Sequence, residues 1–334
     1  MRVLVLLLLI TTLLLPKSIV AEITLVCSAF WAIYTVYICV KLVKYKDKKI
    51  VVKSTSLNIP KDNYASHIRY LYKKKVDNRV LICSIFELLL KGSISLKRIN
   101  MNDYYFVDNN IPEEVLSKNE KAIKKMLFTE IGNTENVSLA RIIEAFTKNS
   151  GYMYTVYKSW RETFIYECVN DKYFKSIKPV IDDSMFYFVL SMIIVFYNIL
   201  FVGYPYIFLP MFLITSYLVK EVNDLSNMEE EAKEEYKEWL KLRNYLKSGK
   251  KLNCDINELE RYSLYSYALD THNEFKNMLY DMYVKDNKVF DESVLLSVIN
   301  TGIFDDIAKK ISKSINTCKF KAIILSSKNK GRRV

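Results

Sequence analysis

Between Asp183 and Lys220 the chain runs for 36 residues without a charged side chain. A second uncharged run of 18 residues, Ile23–Val40, lies near the start of the sequence. An α-helix rises 1.5 Å per residue, so about 20 apolar residues can cross a hydrocarbon core roughly 30 Å thick. Both runs therefore predict membrane segments, and the chain is predicted to be a mainly α-helical membrane protein.

The start of the chain has the layout of a secretory signal peptide, with Arg2 followed by an apolar run from Val3 to Leu15. An uncleaved signal anchor has the same layout, so residues 1–22 are predicted to be one or the other. Residues 23–43 are predicted to form a transmembrane helix. Six lysines against one aspartate occur in Lys41–Lys53, which predicts that this flank is cytoplasmic.

The longer run is interrupted near its middle by Gly203-Tyr204-Pro205. Glycine and proline together break a helix and permit a turn, so residues 184–219 are predicted to form a transmembrane helical hairpin. Pro210 falls in the short second leg, which leaves a shallow re-entrant hairpin as the alternative. Either arrangement returns the chain to the cytoplasmic side. The sequence therefore predicts a multi-pass protein of the cell membrane with most of the chain in the cytoplasm.

Residues 54–183 are predicted to form a cytoplasmic α+β domain that is winged-helix-like. Asp77 is in position to cap a helix, and Gly92 lies just beyond the end of that helix. Apolar residues cover most of the circumference between them, which predicts a buried helix. Strands are predicted near 93–99 and 103–107, joined as a hairpin. Further helices are predicted near 117–129 and near 139–149, the latter capped by Ser138.

A helix followed by a two-stranded wing is a shape that often reads DNA. A recognition helix needs polar side chains on its outer face, with lysine or arginine around it for the phosphates. The helix before this wing keeps only Arg79, Glu87 and Lys91 as charged groups. Nucleic-acid binding is therefore disfavoured, and packing or contact with a partner protein is the predicted use of the shape.

Residues 220–315 are predicted to form a second cytoplasmic domain, which is helical. A helix is predicted over 226–249, with a capping box of Ser226 and Glu229 at its start and Gly249 at its end. Another helical region is predicted near 256–284, and one or two helices over 290–315.

The net charge of +12 is concentrated in two places. One is Lys41–Lys53, and the other is the C-terminal end, where Lys309–Val334 carries nine bases and no acid. Residues 316–334 are predicted to be a basic tail. Because basic segments gain about 1 kcal/mol per charge near anionic lipid, both segments are predicted to contact anionic lipid headgroups. A tail that only improves solubility is the alternative.

The usual signatures of catalysis are missing from the sequence. The two histidines, His67 and His272, are far apart, and the six cysteines include no C-x-x-C pair. No glycine-rich nucleotide loop, P-loop, nucleophile elbow or H-E-x-x-H motif occurs. We therefore predict no catalytic, cofactor-binding or metal-binding residues, no cofactor and no enzymatic activity.

The sequence resembles a bacterial family of predicted membrane proteins, Domain of Unknown Function 2207, in its C-terminal cytoplasmic part. VDNR at 76–79, the helix ending in LLLKGSISL at 88–96, WLKLRNYL at 239–246 and SLYSYALD at 263–270 carry the resemblance. The family's function is unknown, so the resemblance implies motif positions without a role: Val76, Asp77, Asn78, Arg79, Gly92, Arg243 and Tyr265.

The chain departs from the family pattern in its last motif, in the region before Ile23, and at its C-terminal end, where KNKGRRV stands in place of the family's usual glycine-rich tail. Leu264 and Asp270 stand where the family usually has proline and glycine. The family's usual extracytoplasmic domain has no room between Ala21 and Ile23, so any role of that domain is not expected here.

The prediction for function is a non-enzymatic, membrane-tethered scaffold or regulatory partner. Its expected partners are the lipid bilayer and a protein whose identity the sequence does not give. A membrane-anchored nucleic-acid-binding regulator and an accessory subunit of a transport complex are the alternatives.

Overall fold

The chain divides into two compact units, unit 1 (1–49 and 174–229) and unit 2 (50–173 and 230–334). A computed structural model describes these residues: 17–45, 50–60, 63–100, 103–132, 135–170, 173–174, 186–189, 191–193, 213–218, 228–286 and 293–331.

Unit 1 contains helix α1, Lys17–Tyr45. The indole Nε1 of Trp31 donates a hydrogen bond of 2.8 Å to Ser191 Oγ, and the Trp31 ring stacks on Tyr187 with centroids 6.1 Å apart. The Thr35 hydroxyl lies 2.9 Å from the Tyr187 hydroxyl. Large apolar side chains of α1 that are exposed include Val26, Phe30, Ile33, Val36, Val40 and Val43.

The predicted segment 23–43 is helical, because it lies within α1. Across the residues that the structure describes, however, no helix is long and apolar enough to cross a membrane. The predicted transmembrane helix is therefore not supported. The signal peptide or anchor predicted over 1–22 lies mostly outside the described residues, as does the turn of the hairpin predicted over 184–219.

The first half of unit 2 begins with two helices, α2 (Ala65–Lys73) and α3 (Asn78–Leu90). The predicted cap of α3 is confirmed, because the Asp77 carboxylate accepts the backbone N–H groups of Arg79 and Val80 at 3.0 and 3.2 Å. The predicted burial is confirmed as well, since every side chain from Val80 to Leu88 is buried. Helix α2 was not predicted from the sequence.

A three-stranded antiparallel sheet follows α3, in the order β1 (Ile94–Asn100), β2 (Asp103–Asp108) and β3 (Asn136–Ser138). Strands β1 and β2 pair as the predicted hairpin, with Leu96 opposite Phe106. Strand β3 was not predicted, and its three residues pair with β2. The helix and the hairpin are thus present, while the winged-helix designation stays a prediction.

The remaining elements of this half are helical. They are a 3-10 helix (Glu113–Val115), α4 (Lys118–Lys124), a π-helical segment (Lys125–Ile131), α5 (Leu139–Lys148) and α6 (Ser150–Asn170). The predicted Ser138 cap of α5 is confirmed, with Ser138 Oγ accepting Arg141 N–H at 3.0 Å. The helix predicted near 117–129 is divided between α4 and the π-helical segment.

The second half of unit 2 contains five helices within the described residues: α7 (Glu230–Lys247), α8 (Ile256–Ala268), α9 (His272–Asp286), α10 (Val294–Asn300) and α11 (Ile303–Gly331). The start predicted for α7 is wrong. Met228 pairs with Phe174 in an isolated β-bridge, so the helix begins at Glu230 rather than at the capping box of Ser226 and Glu229. Gly249 follows the end of α7 with φ +64°, as a C-terminal glycine should.

The predicted basic tail, 316–334, is helical over its described part, because α11 continues through it to Gly331. Ile311, Ile315 and Cys318 are each only 1% exposed, so the buried face of the helix extends into the predicted tail. Lys321 Nζ also donates to the carbonyl of Thr147 at 2.8 Å. Burial of this face, which charge alone did not reveal, stabilises the helix.

Most of the two portions that were predicted to be separate domains, namely residues 54–173 and 230–315, belongs to one compact unit. Helix α11 packs against α5 and α6, and α8 packs against α2 and α3. The rings of Phe86 and Phe304 lie 4.3 Å apart in the centre of this packing, and Tyr267 meets Phe304 edge-on at 4.8 Å. The core of unit 2 is therefore built from both portions of the chain.

Candidate functional site: the Asp77–Asp270 cluster

The motif Val76–Arg79 lies at the turn into α3, and its polar residues contact distant parts of unit 2. Asp77 caps α3 with one oxygen, and its second oxygen accepts Arg69 Nε at 3.0 Å and Arg69 Nη2 at 2.5 Å. One carboxylate thus fixes the start of α3 and joins it to α2.

Arg69 is the buried centre of the arrangement, with its side chain 5% exposed. Its Nη1 donates to Asp270 Oδ1 at 2.7 Å and to the carbonyl of Ala268 at 3.1 Å. Burial by itself would lower the pKa of Arg69, but the hydrogen bond and the charge of Asp77, followed by those of Asp270, raise it. The guanidinium therefore stays charged in the interior because two carboxylates surround it.

Asp270 brings the second half of unit 2 into the same cluster. It accepts Lys73 Nζ at 2.5 Å and Arg69 at 2.7 Å, and it is also paired with Arg79. Burial would raise the pKa of Asp270, but the Lys73 hydrogen bond and the Arg69 charge lower it. The Arg79 guanidinium also lies over the ring of Tyr267, 5.0 Å from its centroid.

The backbone at Asp270 is left-handed, with φ +59°. Glycine adopts this conformation most easily, and asparagine and aspartate tolerate it better than other residues. The family resemblance places a glycine at this position. Aspartate can replace glycine here because it tolerates the left-handed turn. Its carboxylate also pairs with Arg69, Lys73 and Arg79.

Asn78 joins α3 to the C-terminal helix α11. Its side-chain amide donates to the carbonyl of Ser312 at 3.2 Å and to Asn316 Oδ1 at 2.9 Å. Its own oxygen accepts Lys319 Nζ at 2.7 Å. Three consecutive residues therefore contact three different elements. Asp77 contacts α2, Asn78 contacts α11, and Arg79 contacts the turn after α8.

The other motif positions divide between this cluster and its surroundings. Arg243 approaches the same turn, since its Nε donates to the carbonyl of Leu269 at 3.1 Å. Tyr265 lies elsewhere, with its hydroxyl 3.2 Å from the carbonyl of Asn63. Gly92 follows α3 with φ +68°, and Val76 is buried. The structure thus brings Asp77, Arg79 and Arg243 towards one turn.

The Asp77–Asp270 cluster consists of Arg69, Lys73, Asp77, Arg79 and Asp270. Three of these residues, Arg69, Lys73 and Asp270, were not predicted as site positions. Arg69 and Asp270 are 201 positions apart, so no local spacing connects them. The sequence did contain one indication of this site. Asp270 stands where the resemblance leads one to expect glycine, and a carboxylate at such a position can bind cations.

The Asp77–Asp270 cluster is a network of ion pairs between secondary-structure elements. The bonds of Arg69 go to Asp77, Asp270 and a backbone carbonyl, and both carboxylates are engaged by cations. Within the described part of the chain, no group of three or more His, Cys, Asp or Glu side chains could hold a metal ion. The geometry therefore supports a structural function, in which charged groups on α2, α3 and α7 bind the turn after α8.

These features define a mainly helical unit with a small antiparallel sheet, joined internally by ion pairs. The chain matches the family described as "Predicted membrane protein (DUF2207) C-terminal domain" over residues 56–279, and it belongs to this family. The match begins before α2 and ends within α9, so it includes every member of the Asp77–Asp270 cluster. No curated protein and no solved structure matches the chain.

Proposed function

We propose that the protein is a membrane-tethered scaffold or regulatory partner without enzymatic activity. The observation that carries the proposal is the Asp77–Asp270 cluster, in which Arg69 binds Asp77, Asp270 and a backbone carbonyl. A catalytic site would keep a nucleophile, acid or base free to meet a substrate. Here the same residue types hold unit 2 together, as expected of a rigid body that presents its surface to a partner.

The description of the family as predicted membrane proteins supports the tether. The exposed apolar side chains of α1 support it as well, because a polar solvent disfavours so many of them on one helix. In this proposal the chain is anchored through the segments 23–43 and 184–219, and unit 2 lies in the cytoplasm beside anionic headgroups. Lys41 and Lys44, near the end of α1, agree with that orientation.

Nucleic acid is not favoured as the partner. The helix before the β1–β2 hairpin buries Val80–Leu88, so these side chains are not available to a major groove. Packing against the rest of unit 2 accounts for this helix fully. A protein partner is therefore the more economical proposal.

Membrane vesicles containing the full-length chain test the tether. We expect the protein to stay in the membrane fraction after alkaline carbonate washing, and protease to remove unit 2 only from vesicles whose cytoplasmic face is exposed. Release by carbonate without detergent would contradict the tether. Cleavage of the 184–219 segment from the outer face would favour full crossing, as an accessory subunit of a transport complex requires.

The scaffold is tested by purifying the full-length chain in mild detergent and measuring its mass by light scattering after chemical cross-linking in the native membrane. We expect a stable complex with another protein or with a second copy of the chain. Recovery of the chain alone as a monomer would count against the scaffold.

A further inference from the structure

A cavity of about 520 Å³ lies in unit 2, away from the Asp77–Asp270 cluster. The residues before and at the start of α2, the C-terminal half of α3 and one face of α8 line it. Its charged lining residues are Glu87, Lys91, Glu260 and Arg261, and Ala65, Leu90 and Leu264 add apolar surface. This size and this mixed lining are typical of small-molecule sites.

Glu87 is the most unusual group in the cavity wall, because it is a carboxyl group with 5% of its surface exposed. Its two oxygens accept the backbone N–H of Ser66 at 2.9 Å and the Ser66 hydroxyl at 2.8 Å. No lysine or arginine in the described residues forms an ion pair with it. Burial raises the pKa of Glu87 to about 7, although the Ser66 hydrogen bonds oppose that shift. A cation entering the cavity would therefore supply the counterion that the buried Glu87 side chain lacks and would favour its charged form.

The second carboxyl group, Glu260, is less buried than Glu87. One of its oxygens accepts the Ser293 hydroxyl, and it forms no ion pair with any lysine or arginine that the structure describes. Lys91 does not offset these acids, because its Nζ is held 2.7 Å from Glu120 Oε1 and 3.0 Å from the Tyr64 hydroxyl. Arg261, the other cation of the lining, donates from its Nη2 to the Tyr265 hydroxyl at 3.4 Å. Glu87 and Glu260 are thus the lining groups that a positively charged ligand would contact.

We infer that this cavity binds a small organic cation, with a primary ammonium group held by Glu87 and Glu260 and an aliphatic chain against Leu90 and Leu264. An ammonium group has three N–H donors, which suits carboxylate oxygens that still have acceptor capacity after Ser66 and Ser293 have bound. The inference is independent of the membrane tether, since it concerns unit 2 alone.

Three four-carbon probes of different charge test the inference: 1,4-diaminobutane, 1,4-butanediol and succinate. Isothermal titration calorimetry on the full-length chain in mild detergent, at low salt, measures their binding. We expect 1,4-diaminobutane to bind at one site, and the neutral and anionic probes to give no binding. Absence of diamine binding, or equal binding of succinate, would overturn the inference.

Matched variants locate the site. Glu87→Gln and Glu260→Gln keep the shape of each side chain and remove its charge, so each should weaken diamine binding about tenfold or more. Glu144→Gln is the control, because Glu144 is an exposed acid on α5 paired with Lys148. It should bind the diamine as the wild type does.

If Glu87→Gln unfolds the protein, as its circular dichroism spectrum would reveal, Glu260→Gln decides the matter. Wild-type affinity in both cavity variants, or an equal loss in Glu144→Gln, would assign the binding to general surface charge and overturn the inference. Neither outcome bears on the membrane tether.

Discussion

Replacing Asp270 with asparagine should destabilise unit 2 because the carboxylate is shared by three cations. Asparagine keeps the side-chain shape and tolerates the left-handed backbone, so the change removes the charge and one acceptor oxygen without straining the turn. The variant leaves Arg69, which is 5% exposed, with only Asp77 as a counterion.

The magnitude follows from the burial of each pair. Breaking a fully buried ion pair costs about 3–5 kcal/mol, but Asp270 is 27% exposed and the asparagine oxygen can still accept a hydrogen bond. The pairs with Lys73 and Arg79 are more exposed, at 33% and 41% for the cations, and contribute about 0–1 kcal/mol each. We therefore expect the free energy of unfolding to fall by about 2–3 kcal/mol.

Urea denaturation followed by tryptophan fluorescence measures this change. Trp160 and Trp239 are buried in unit 2, whereas Trp31 lies in unit 1, so a Trp31→Phe background confines the signal to unit 2. Glu162→Gln is the matched control, because Glu162 is 67% exposed and its pair with Lys158 is long, and it should cost less than about 0.5 kcal/mol. An Asp270→Asn variant as stable as this control would refute the assigned role of the carboxylate.

Three further predictions concern single positions. Glu87→Gln should remove a pH dependence, because the folded-state pKa of Glu87 is about 7 against 4.5 for the free side chain, and the protonated form stabilises the wild type at low pH. The free energy of unfolding of the wild type, measured by urea denaturation, should fall by about 3 kcal/mol relative to the variant as pH rises from about 4.5 to 7. Asp305 has the opposite sign, because the contact with His272 Nε2 at 3.2 Å, partly offset by burial and helped by Lys276, lowers the pKa of Asp305 to about 2. The wild type should therefore lose its stability advantage over Asp305→Asn as pH falls from about 4 towards 2. An advantage that grew on acidification would contradict this. Gly92→Ala should cost about 1 kcal/mol through its left-handed backbone alone, since an added Cβ meets nothing within 4 Å, and a thermal melt with an unchanged midpoint would exclude that strain.

Local signals in the sequence predicted the elements that local interactions determine. Asp77 was identified as a cap because a short acceptor before an apolar run satisfies the first N–H groups of a helix. The β1–β2 hairpin and the burial of α3 followed from alternation and from the apolar circumference. Helix α7 was predicted, but its start was misplaced, because Met228 pairs with Phe174, which is distant in sequence.

Contacts between distant segments account for what the sequence did not predict. Asp77, Asn78 and Arg79 were named as motif positions, but their partners Asp270 and Asn316 are 191 and 238 positions away from Arg79 and Asn78. The basic charge near the C-terminus suggested a tail, whereas burial of Cys318 and its neighbours against α5 and α6 makes it a helix. Periodicity reports which face of a helix is apolar, but it does not report which element covers that face.

Hydrogen exchange of the full-length chain with an Asp77→Asn substitution tests most directly whether the Asp77–Asp270 cluster joins the two halves of unit 2. The single oxygen of asparagine can still cap α3, while its amide nitrogen replaces the oxygen that accepts Arg69, so the charge and the hydrogen bonds beside Arg69 are lost and the cap is kept. We predict faster amide exchange in α2 and α3 and, at the same time, in α8 and α11, with no change in α1. Faster exchange confined to the first turn of α3 would contradict the account, because the motif would then be a helix cap and nothing more.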